Sequence, residues 1–226
     1  MENILVIDTE TTGLSITENK VIEIGAIMFN IPSRSIVAQC STLLYSECNE
    51  AYEINRIEIE ALKRIPTQLQ FLGMMMIVKM IDHSDAIIAH NAEFDRKFIE
   101  ETLLEDISKS KKWICTKNDV VWPVRKGCPL NLIHIAVDLE VPVVNAHRAL
   151  NDCKILMSCI EVMDDIEYFL EQSGKGRLMY HAHAAYEERQ IVKDNGFQWN
   201  KEKKIWYAKL TEEQAKEMPF MCYQAE

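Results

Sequence analysis

Apolar and turn-forming segments alternate over the start of the chain in a way that is typical of antiparallel strands. Residues 3–8, 20–29 and 35–44 are rich in aliphatic and β-branched side chains, and such runs favour strands when turn-forming residues bound them. The turns fall at Thr12-Gly13 and at Ile31-Pro32-Ser33. The pattern predicts an opening meander of three strands.

Helical periodicity begins after Pro66. Apolar residues then recur at the spacing of one helix face, at Leu69, Leu72, Met76, Met80 and Ile81. Further along the chain, strand-like and helix-like segments alternate. Short strands are predicted over 85–89 and 113–115, and helices over 93–104, 130–137 and 148–170. Together with the opening meander, this order predicts an α/β fold.

The segment Ser173-Gly174-Lys175-Gly176 predicts the boundary of a second unit, because glycines in a polar setting disfavour both helix and strand. We therefore expect one domain over residues 1–173 and a small α+β module over residues 177–226. Within this module the pattern predicts a helix over 184–195, paired strands over 197–199 and 205–207, and a short helix that begins at Thr211.

The chain is acidic overall, but its charge is unevenly distributed. Its 226 residues can bury a substantial core, and 25 Lys and Arg residues against 35 Asp and Glu residues give a net charge of −10. This imbalance argues against broad, non-specific adhesion to nucleic acid or to anionic membranes. Residues 174–226 carry nine basic and eight acidic side chains, so this tail is near +1 and can approach nucleic acid more easily.

The cysteines and the N-terminal residues predict a cytoplasmic protein without a membrane partner. Seven cysteines occur without a CxxC pair or zinc-finger spacing, which favours a reducing compartment. Glu2, Asp8 and Glu10 stand where a secretory signal would need a basic start and an apolar segment. The longest charge-free stretch, residues 65–78, falls short of the roughly 20 residues needed to cross a bilayer.

Two carboxylates stand at the end of the first predicted strand. Asp8 and Glu10 follow the apolar run Ile4-Leu5-Val6-Ile7, and residues two apart on a strand point to the same face. Like charges at this range raise each other's pKa unless a cation lies between them. A hard divalent metal ion is the expected occupant of such a pair.

Three further residues carry chemistry only if they join this pair. Asp95 falls in or near the first turn of a predicted helix, where the helix dipole alone favours an aspartate, and the same explanation covers Asp152. His147, taken alone, is more typical of a loop or core histidine than of a general base. None of the three indicates a function by itself.

The order and surroundings of these residues resemble the motifs of the DEDDh-type 3′–5′ exonucleases, in particular the subfamilies of exonuclease X and of the proofreading subunit of bacterial DNA polymerase III. The resemblance spans about residues 2–164 and includes Trp113-Ile114-Cys115-Thr116 with Trp122-Pro123. The four main motifs are Val6-Ile7-Asp8-Thr9-Glu10-Thr11-Thr12-Gly13-Leu14, Val21-Ile22-Glu23-Ile24-Gly25-Ala26, His90-Asn91-Ala92-Glu93-Phe94-Asp95 and His147-Arg148-Ala149-Leu150-Asn151-Asp152.

The resemblance implies a ribonuclease-H-like fold, with a mixed sheet flanked by helices, and a site for two Mg²⁺ or Mn²⁺ ions. In such sites the ions lie roughly 3.5 to 4 Å apart, and the matching ligands here are Asp8, Glu10, Asp95 and Asp152. His147 would act as the general base that takes a proton from the attacking water. The implied reaction hydrolyses DNA from its 3′ end and releases nucleoside 5′-monophosphates.

The resemblance also implies contacts with the substrate. Thr11 and Leu14 match positions that meet the terminal nucleotide, with Leu14 as an apolar wedge against the base. Asn91 and Phe94 match residues that shape the pocket, although a capped helix start and a core aromatic account for them nearly as well. Glu23 is a charge inside an apolar strand and must find a partner, so we expect a structural acid near the site.

Several alternatives stay open on sequence grounds. The expected substrate is single-stranded or 3′-ended DNA, but an exoribonuclease that processes RNA 3′ ends is the closest rival, because the contacts that read a 2′-hydroxyl cannot be located in a sequence. The fold could instead serve as a non-catalytic module that binds nucleic acid or a polymerase. Association with a polymerase, or with a second copy as a homodimer, stays open as well.

The tail combines aromatic and basic residues. Trp199, Trp206 and Tyr207 stand close to four lysines, Lys201, Lys203, Lys204 and Lys209. Aromatic rings between lysines favour a surface that stacks bases and binds phosphates. The alternative is that the rings form the core of a small module that has few other apolar residues. We expect the module to help hold nucleic acid.

Overall fold

The computed structural model describes residues 1–102, 108–125, 128–163, 166, 170–171, 173 and 177–225. These residues form two β-sheets, one of five strands and one of four. The five-stranded sheet precedes the expected boundary and the four-stranded sheet follows it. Residues 174–176 of the predicted linker lie outside the described residues, so the division into 1–173 and 177–226 stays a prediction.

The first sheet is mixed. Its strands are β1 (Asn3–Thr11), β2 (Val21–Asn30), β3 (Ser35–Leu43), β4 (Ala86–Ala89) and β5 (Lys112–Cys115), in the spatial order β3-β2-β1-β4-β5. The pairs β1–β2 and β2–β3 are antiparallel, whereas β1–β4 and β4–β5 are parallel. The predicted meander is confirmed, and so are the short strands predicted over 85–89 and 113–115, which form β4 and β5.

Helices cover both faces of this sheet. They are α1 (Tyr52–Asn55), α2 (Ile59–Lys63), α3 (Thr67–Asp82), α4 (Ala92–Thr102), α5 (Leu132–Asp138) and α6 (Ala149–Val162). Successive side chains of a strand point to opposite faces, and β1 accordingly feeds two apolar cores. Ile4 and Val6 pack with α5 and α6, while Leu5 and Ile7 pack with α3 and α4. The predicted α/β fold is confirmed, and so is the mixed sheet flanked by helices of the ribonuclease-H-like fold that the resemblance implied.

The prediction of one continuous helix over 148–170 is wrong. α6 ends at Val162, and Met163 adopts an extended backbone with φ −76° and ψ 112°. Ile166 and Leu170 nevertheless belong to the same apolar core as α6. The apolar spacing therefore reflected separate segments that pack on one face of the sheet, although most of residues 164–172 lie outside the described residues.

The helix predicted after Pro66 is confirmed as α3, but its buried side is shorter than the pattern indicated. Ile77, Met80 and Ile81 are buried. The earlier turns are open to solvent, with exposed side chains at Leu69, Phe71, Leu72, Met75 and Met76. Gly73 lies against Thr42 of β3, and β3 is one of the two edge strands of the sheet, so the turns of α3 before Gly73 extend past this edge.

The second sheet consists of β6 (Leu178–His183), β7 (Gln198–Asn200), β8 (Ile205–Leu210) and β9 (Met221–Gln224). It is antiparallel throughout, in the order β7-β8-β6-β9. A 3₁₀ turn leads into α7 (Arg189–Asp194), and α8 (Glu212–Lys216) begins at Thr211, whose hydroxyl caps the helix. The predicted strand pair and the helix start at Thr211 are confirmed, whereas β6 and β9 were not predicted.

Two further expectations concern the compartment of the protein. In the described part of the chain, no helix has both the length and the apolar character that a bilayer span requires. The seven cysteines are all free thiols.

Candidate active site

The site lies at the carboxyl end of β1, where the strand changes from apolar to acidic. Asp8 and Glu10 continue the face of Ile4 and Val6, which is the face that α6 covers. One carboxylate oxygen from each of Asp8, Glu10 and Asp152 can be chosen so that all lie within 4.8 Å of one another. These three side chains are only partly buried, so the cluster is accessible from solvent. Oxygen ligands at this spacing suit a hard divalent cation.

α6 can pack close enough to bring Asp152 to β1 because residue 25, which lies against the helix, is a glycine and has no side chain. Gly25 pairs with Asp8 across β1 and β2. A Cβ atom at Gly25 would lie 2.3 Å from the Leu150 backbone nitrogen and 2.4 Å from the Ala149 carbonyl carbon. Any side chain there would push the first turn of α6 outward. Glycine at position 25 therefore allows Asp152 to reach Asp8.

Glu23 fixes the same end of α6. Its two carboxylate oxygens accept hydrogen bonds from Arg148 Nε and Nη2, at 2.9 and 3.0 Å, and Oε2 also accepts from the Ala149 amide at 3.2 Å. The Ser41 hydroxyl donates to Oε1 at 3.0 Å. No side chain within the helix caps α6, so a carboxylate from β2 satisfies its first amide and meets the positive end of its dipole.

Glu23 also faces Glu10 across the strand pair. Two like charges opposite each other are destabilising, and the Arg148 guanidinium lowers the pKa of Glu10 against this repulsion. The expectation of a structural acid near the site is thereby explained: Glu23 holds Arg148, and both hold the start of the helix that carries Asp152. We refer to Glu23, Arg148 and the Ala149 amide as the α6 clamp.

Asp95 approaches from the other face of the sheet. It lies in the first turn of α4, and its Oδ1 accepts from the Thr9 amide at 3.0 Å and from the Thr9 hydroxyl at 2.8 Å. Thr9 points to the α4 face because it alternates with Asp8 and Glu10. Asp95 is buried and close enough to raise the pKa of Asp8. It is not a member of the three-carboxylate cluster, and one of its oxygens is committed to Thr9.

The electrostatics of the four carboxylates favour a cation. Burial, and then the nearby Asp95 and Asp152, hold the pKa of Asp8 well above its usual range. Burial and then Asp152 raise the pKa of Glu10 to about 8. Burial raises the pKa values of Asp95 and Asp152 to about 6, although hydrogen bonds from Thr9 and His147 act in the opposite direction. Without a metal ion Asp8 and Glu10 retain protons near neutral pH, and a bound cation would displace them.

His147 lies beside the cluster and is exposed. Its backbone amide donates to both carboxylate oxygens of Asp152, at 3.1 and 3.3 Å. Its φ of +66° lies in the left-handed region, which is uncommon for a residue with a side chain but less so for histidine. The structure therefore ties the backbone of His147 to Asp152 and leaves the imidazole open to solvent.

Of the four residues predicted to contact substrate, Leu14 has an exposed side chain, whereas Thr11, Asn91 and Phe94 make contacts within the protein. Leu14 is 85% exposed, as a wedge that meets a base would be. The Thr11 hydroxyl donates to the Gly13 carbonyl at 2.6 Å, so the side chain of Thr11 supports its own turn. Asn91 is exposed and accepts a backbone hydrogen bond from the Phe94 amide at the start of α4. Phe94 packs on Phe98 with ring centroids 4.8 Å apart, so its role in the core is established.

Sequence reasoning assigned no role to Arg148 or to Gly25, although both shape the site. The signal for Arg148 was Glu23: a charge within an apolar strand requires a partner, and an arginine beside the site histidine supplies a bidentate one. No local signal identified Gly25, because the close approach of α6 appears only in the folded protein.

Two family models match this chain. A model described as exonuclease (RNase_T) matches residues 5–159, which is more than half of the chain. A model described as a domain of unknown function (DUF8626) matches residues 178–224, which include the whole second sheet.

Curated relatives match the first part of the chain. DNA polymerase III subunit epsilon of Treponema pallidum is 28% identical over 171 residues, which cover 74% of this chain and 78% of that protein. DNA polymerase III PolC-type of Clostridium perfringens is 32% identical over 164 residues, which cover 66% of this chain but 10% of that protein.

Solved structures support the fold. The nuclease domain of 3′hExo, described as a DEDDh family member bound to rAMP, matches with a TM-score of 0.56 and 18% identity over 74% of this chain and 94% of that domain. Exonuclease I of E. coli in complex with a dT13 oligonucleotide matches with a TM-score of 0.58 and 11% identity over 81% of this chain. This chain covers 49% of that exonuclease. On its family match, its fold and its acidic cluster, the chain belongs to the exonuclease family, as a DEDDh-type 3′–5′ exonuclease.

Proposed function

We propose that this exonuclease hydrolyses single-stranded or 3′-ended DNA with two Mg²⁺ or Mn²⁺ ions and releases nucleoside 5′-monophosphates. The observation that carries the proposal is the cluster of Asp8, Glu10 and Asp152, which can each offer one carboxylate oxygen within 4.8 Å of the other two. An all-oxygen ligand set favours Mg²⁺ or Mn²⁺ over zinc.

The proposed metal ligands are Asp8, Glu10, Asp152 and Asp95. Asp95 would use the carboxylate oxygen that does not accept from Thr9. When bound, the ions would activate water and neutralise charge on the phosphodiester and the leaving oxygen. The carboxylates are held in one arrangement. Thr9 fixes Asp95 through two hydrogen bonds, and the α6 clamp fixes the start of the helix that carries Asp152.

His147 is the proposed general base. A base must reach the attacking water, and the imidazole is exposed next to Asp152, to which its own backbone amide is bonded. In the proposed reaction, the imidazole takes the proton of the water as the oxygen attacks phosphorus in line. Thr11 and Leu14 would meet the terminal nucleotide, with Leu14 packed on its base, while Asn91 and Phe94 would shape the nucleotide pocket.

DNA is the proposed substrate because both curated relatives are DNA polymerase III proteins. The same relatives make association with a polymerase a natural part of the proposal. The chain spans a tenth of the PolC-type relative and about half of exonuclease I, so neither the substrates nor the partners of those proteins transfer to it directly.

The test uses matched DNA and RNA strands that carry a label at the 5′ end, incubated with Mg²⁺. A ladder of shortened, 5′-labelled DNA is the expected result, with slower shortening of RNA. Asp8→Ala should abolish the ladder, because it removes a carboxylate shared by the cluster. A DNA strand that stays at full length with the wild-type protein would indicate a non-catalytic binding module, and faster digestion of RNA would make the protein an exoribonuclease.

A further inference from the structure

A cavity of about 710 Å³ opens on the module that contains the second sheet. It combines basic side chains with aromatic rings, and we name it the cationic groove. Its defining residues are Arg189, Lys193, Lys201, Lys204, Trp199 and Tyr223. They belong to the region matched by the model of unknown function, and none of them belongs to the exonuclease site.

The basic residues of the groove come from two separate elements. Arg189 and Lys193 lie four positions apart on α7 and therefore on one side of that helix. Lys201 and Lys204 lie in the turn between β7 and β8. Two unrelated segments thus bring positive charge to the same cavity.

The charge of the three groove lysines is not offset within the groove. Among the described residues that line it there is no aspartate or glutamate. The ion pairs found across the described part of the chain involve none of Lys193, Lys201 and Lys204. In a protein of net charge −10, a local cluster of this kind favours an anionic ligand.

The aromatic residues present open ring surface beside these cations. Trp199 is 44% exposed, although one side of its ring rests against Trp206, with ring centroids 5.1 Å apart. Trp206 in turn packs on the core of the module. Tyr223 is 49% exposed and is held by an edge-to-face contact with His181 at 5.5 Å. Each exposed ring is therefore supported from behind and offers surface for stacking.

We propose that the cationic groove binds single-stranded DNA, with bases stacked on Trp199 and Tyr223 and with phosphates bound by the basic side chains. Rings and cations in one groove match the chemistry of a nucleic-acid strand. The strand must be single because bases in a duplex are already stacked on each other. DNA rather than RNA as the occupant rests on the proposed function, whereas the need for bases and phosphates comes from the groove itself.

The groove is separate from the contact between the module and the exonuclease domain. Tyr207 and Lys209 alternate with Trp206 along β8 and line hollows beside the exonuclease domain, where Lys209 lies near Glu93. The six defining groove residues line none of these hollows. Substitutions in the groove can therefore be made without disturbing that contact.

The test measures binding of a 5′-fluorescent oligothymidylate of about 20 nucleotides to the full chain by anisotropy, in EDTA and over a range of salt concentrations. EDTA removes the contribution of the metal site. The double variant Lys201→Gln/Lys204→Gln should weaken binding at least about tenfold and reduce the salt slope by about two, since each lysine–phosphate contact contributes about one. Trp199→Ala should weaken binding at least about fivefold through lost stacking.

The matched control is Lys203→Gln, which removes the same charge from the same turn but does not line the groove. We expect its affinity to remain within about twofold of the wild type, because phosphate contacts act at short range at physiological salt. All variants should hydrolyse the p-nitrophenyl ester of thymidine 5′-monophosphate at the wild-type rate, since a mononucleotide occupies only the active site. This second assay also shows that the exonuclease domain of each variant is folded.

The outcomes separate this proposal from the proposed function. Wild-type affinity in both groove variants would overturn the groove, and so would an equal loss in Lys203→Gln. Tighter binding of a matched duplex or of a matched RNA strand would overturn single-stranded DNA as the occupant. A protein that binds the oligonucleotide through the groove but never shortens it with Mg²⁺ would retain the groove and lose the nuclease.

Discussion

The active site and the cationic groove carry opposite charges, although both are proposed to bind the same polyanion, a DNA strand. The active site presents Asp8, Glu10 and Asp152 within 4.8 Å of one another, and these carboxylates repel a phosphate until cations neutralise them. The groove presents Lys201 and Lys204 among others, and these need no metal ion. Hydrolysis should therefore depend on divalent ions, whereas strand binding in the groove should depend mainly on ionic strength.

The two regions also differ in how they are built. The active site depends on residues far apart in sequence: Arg148 lies 125 positions from Glu23, to which it is bonded. The groove draws all its residues from 182–223. Loss of one such long-range contact should therefore affect the whole active site, whereas each groove lysine should contribute to strand binding independently.

The largest expected effect separates chemistry from binding. His147→Ala should lower kcat by roughly 10²- to 10⁴-fold, the usual contribution of a general base, because no other side chain is proposed to take the proton. Oligonucleotide binding in EDTA should not change. The measurements are initial rates with Mg²⁺ and anisotropy without it.

His83→Ala is the control for this substitution, because His83 is exposed and lies at the end of α3. It should leave both measurements unchanged. A kcat of His147→Ala within about threefold of the wild type would exclude His147 as the base, and a parallel loss of binding in EDTA would remove the distinction between the two regions.

The second largest effect tests the α6 clamp. Glu23→Gln retains an acceptor for the Ala149 amide but loses the charge that holds Arg148. Loss of a residue that orients a metal ligand typically costs 10- to 100-fold in metal affinity or activity, and we expect a loss in this range. Because the clamp acts through Asp152, the Mg²⁺ concentration for half-maximal activity should rise as well.

Glu93→Gln provides the matched comparison for Glu23→Gln. Glu93 is also paired with a cation, Lys97 at 2.8 Å, and lies on α4 with Asp95, but it is exposed. We expect less than a twofold change, since exposed ion pairs contribute little. If Glu23→Gln lowered thermal stability and left the Mg²⁺ dependence unaltered, Glu23 would be a purely structural residue.

The sequence predicted more of the central sheet than of the helices. Apolar runs bounded by turn-forming residues predicted the positions of β1, β2 and β3 within a few residues, because each run and its turns are local features of the sequence. The helix prediction failed at Met163, where apolar residues that share a core belong to separate segments. The exposed start of α3 was not predicted either, because the position of the sheet edge is a property of the assembled fold.

The same distinction holds at the site. Asp8 and Glu10 could be paired from the sequence, since the spacing on a single strand places them on one face. That Asp95 and Asp152 would approach from opposite faces of the sheet could not be predicted, because it depends on which face each helix covers. Gly25 was missed for the same reason: the space it leaves is filled by α6 rather than by a neighbour in sequence.

The smallest expected effect is on the stability of the protein, whose pH dependence reports on the acidic cluster in the absence of substrate. The ordinary pKa of Glu10 is 4.5, and burial raises it to about 8 in the folded chain; Asp95 and Asp152 rise from 3.8 to about 6. The folded state thus binds more protons than the unfolded state between about pH 4 and pH 8, so the stability of the metal-free protein should fall as pH rises through this window.

Mg²⁺ should reverse this loss, because a cation that binds only the folded state takes the place of the protons. At ten times its Kd the ion adds about 1.4 kcal/mol, which raises Tm by roughly 3–6 °C for a chain of this size. In thermal melts the increase should be full at pH 8 and nearly absent at pH 5, where the carboxylates keep their protons. Asp8→Asn should flatten both dependences, whereas Lys201→Gln/Lys204→Gln should retain them. Equal stabilisation by Mg²⁺ at both pH values would mean that the ion binds elsewhere, and the contrast between an acidic metal site and a metal-independent groove would fail.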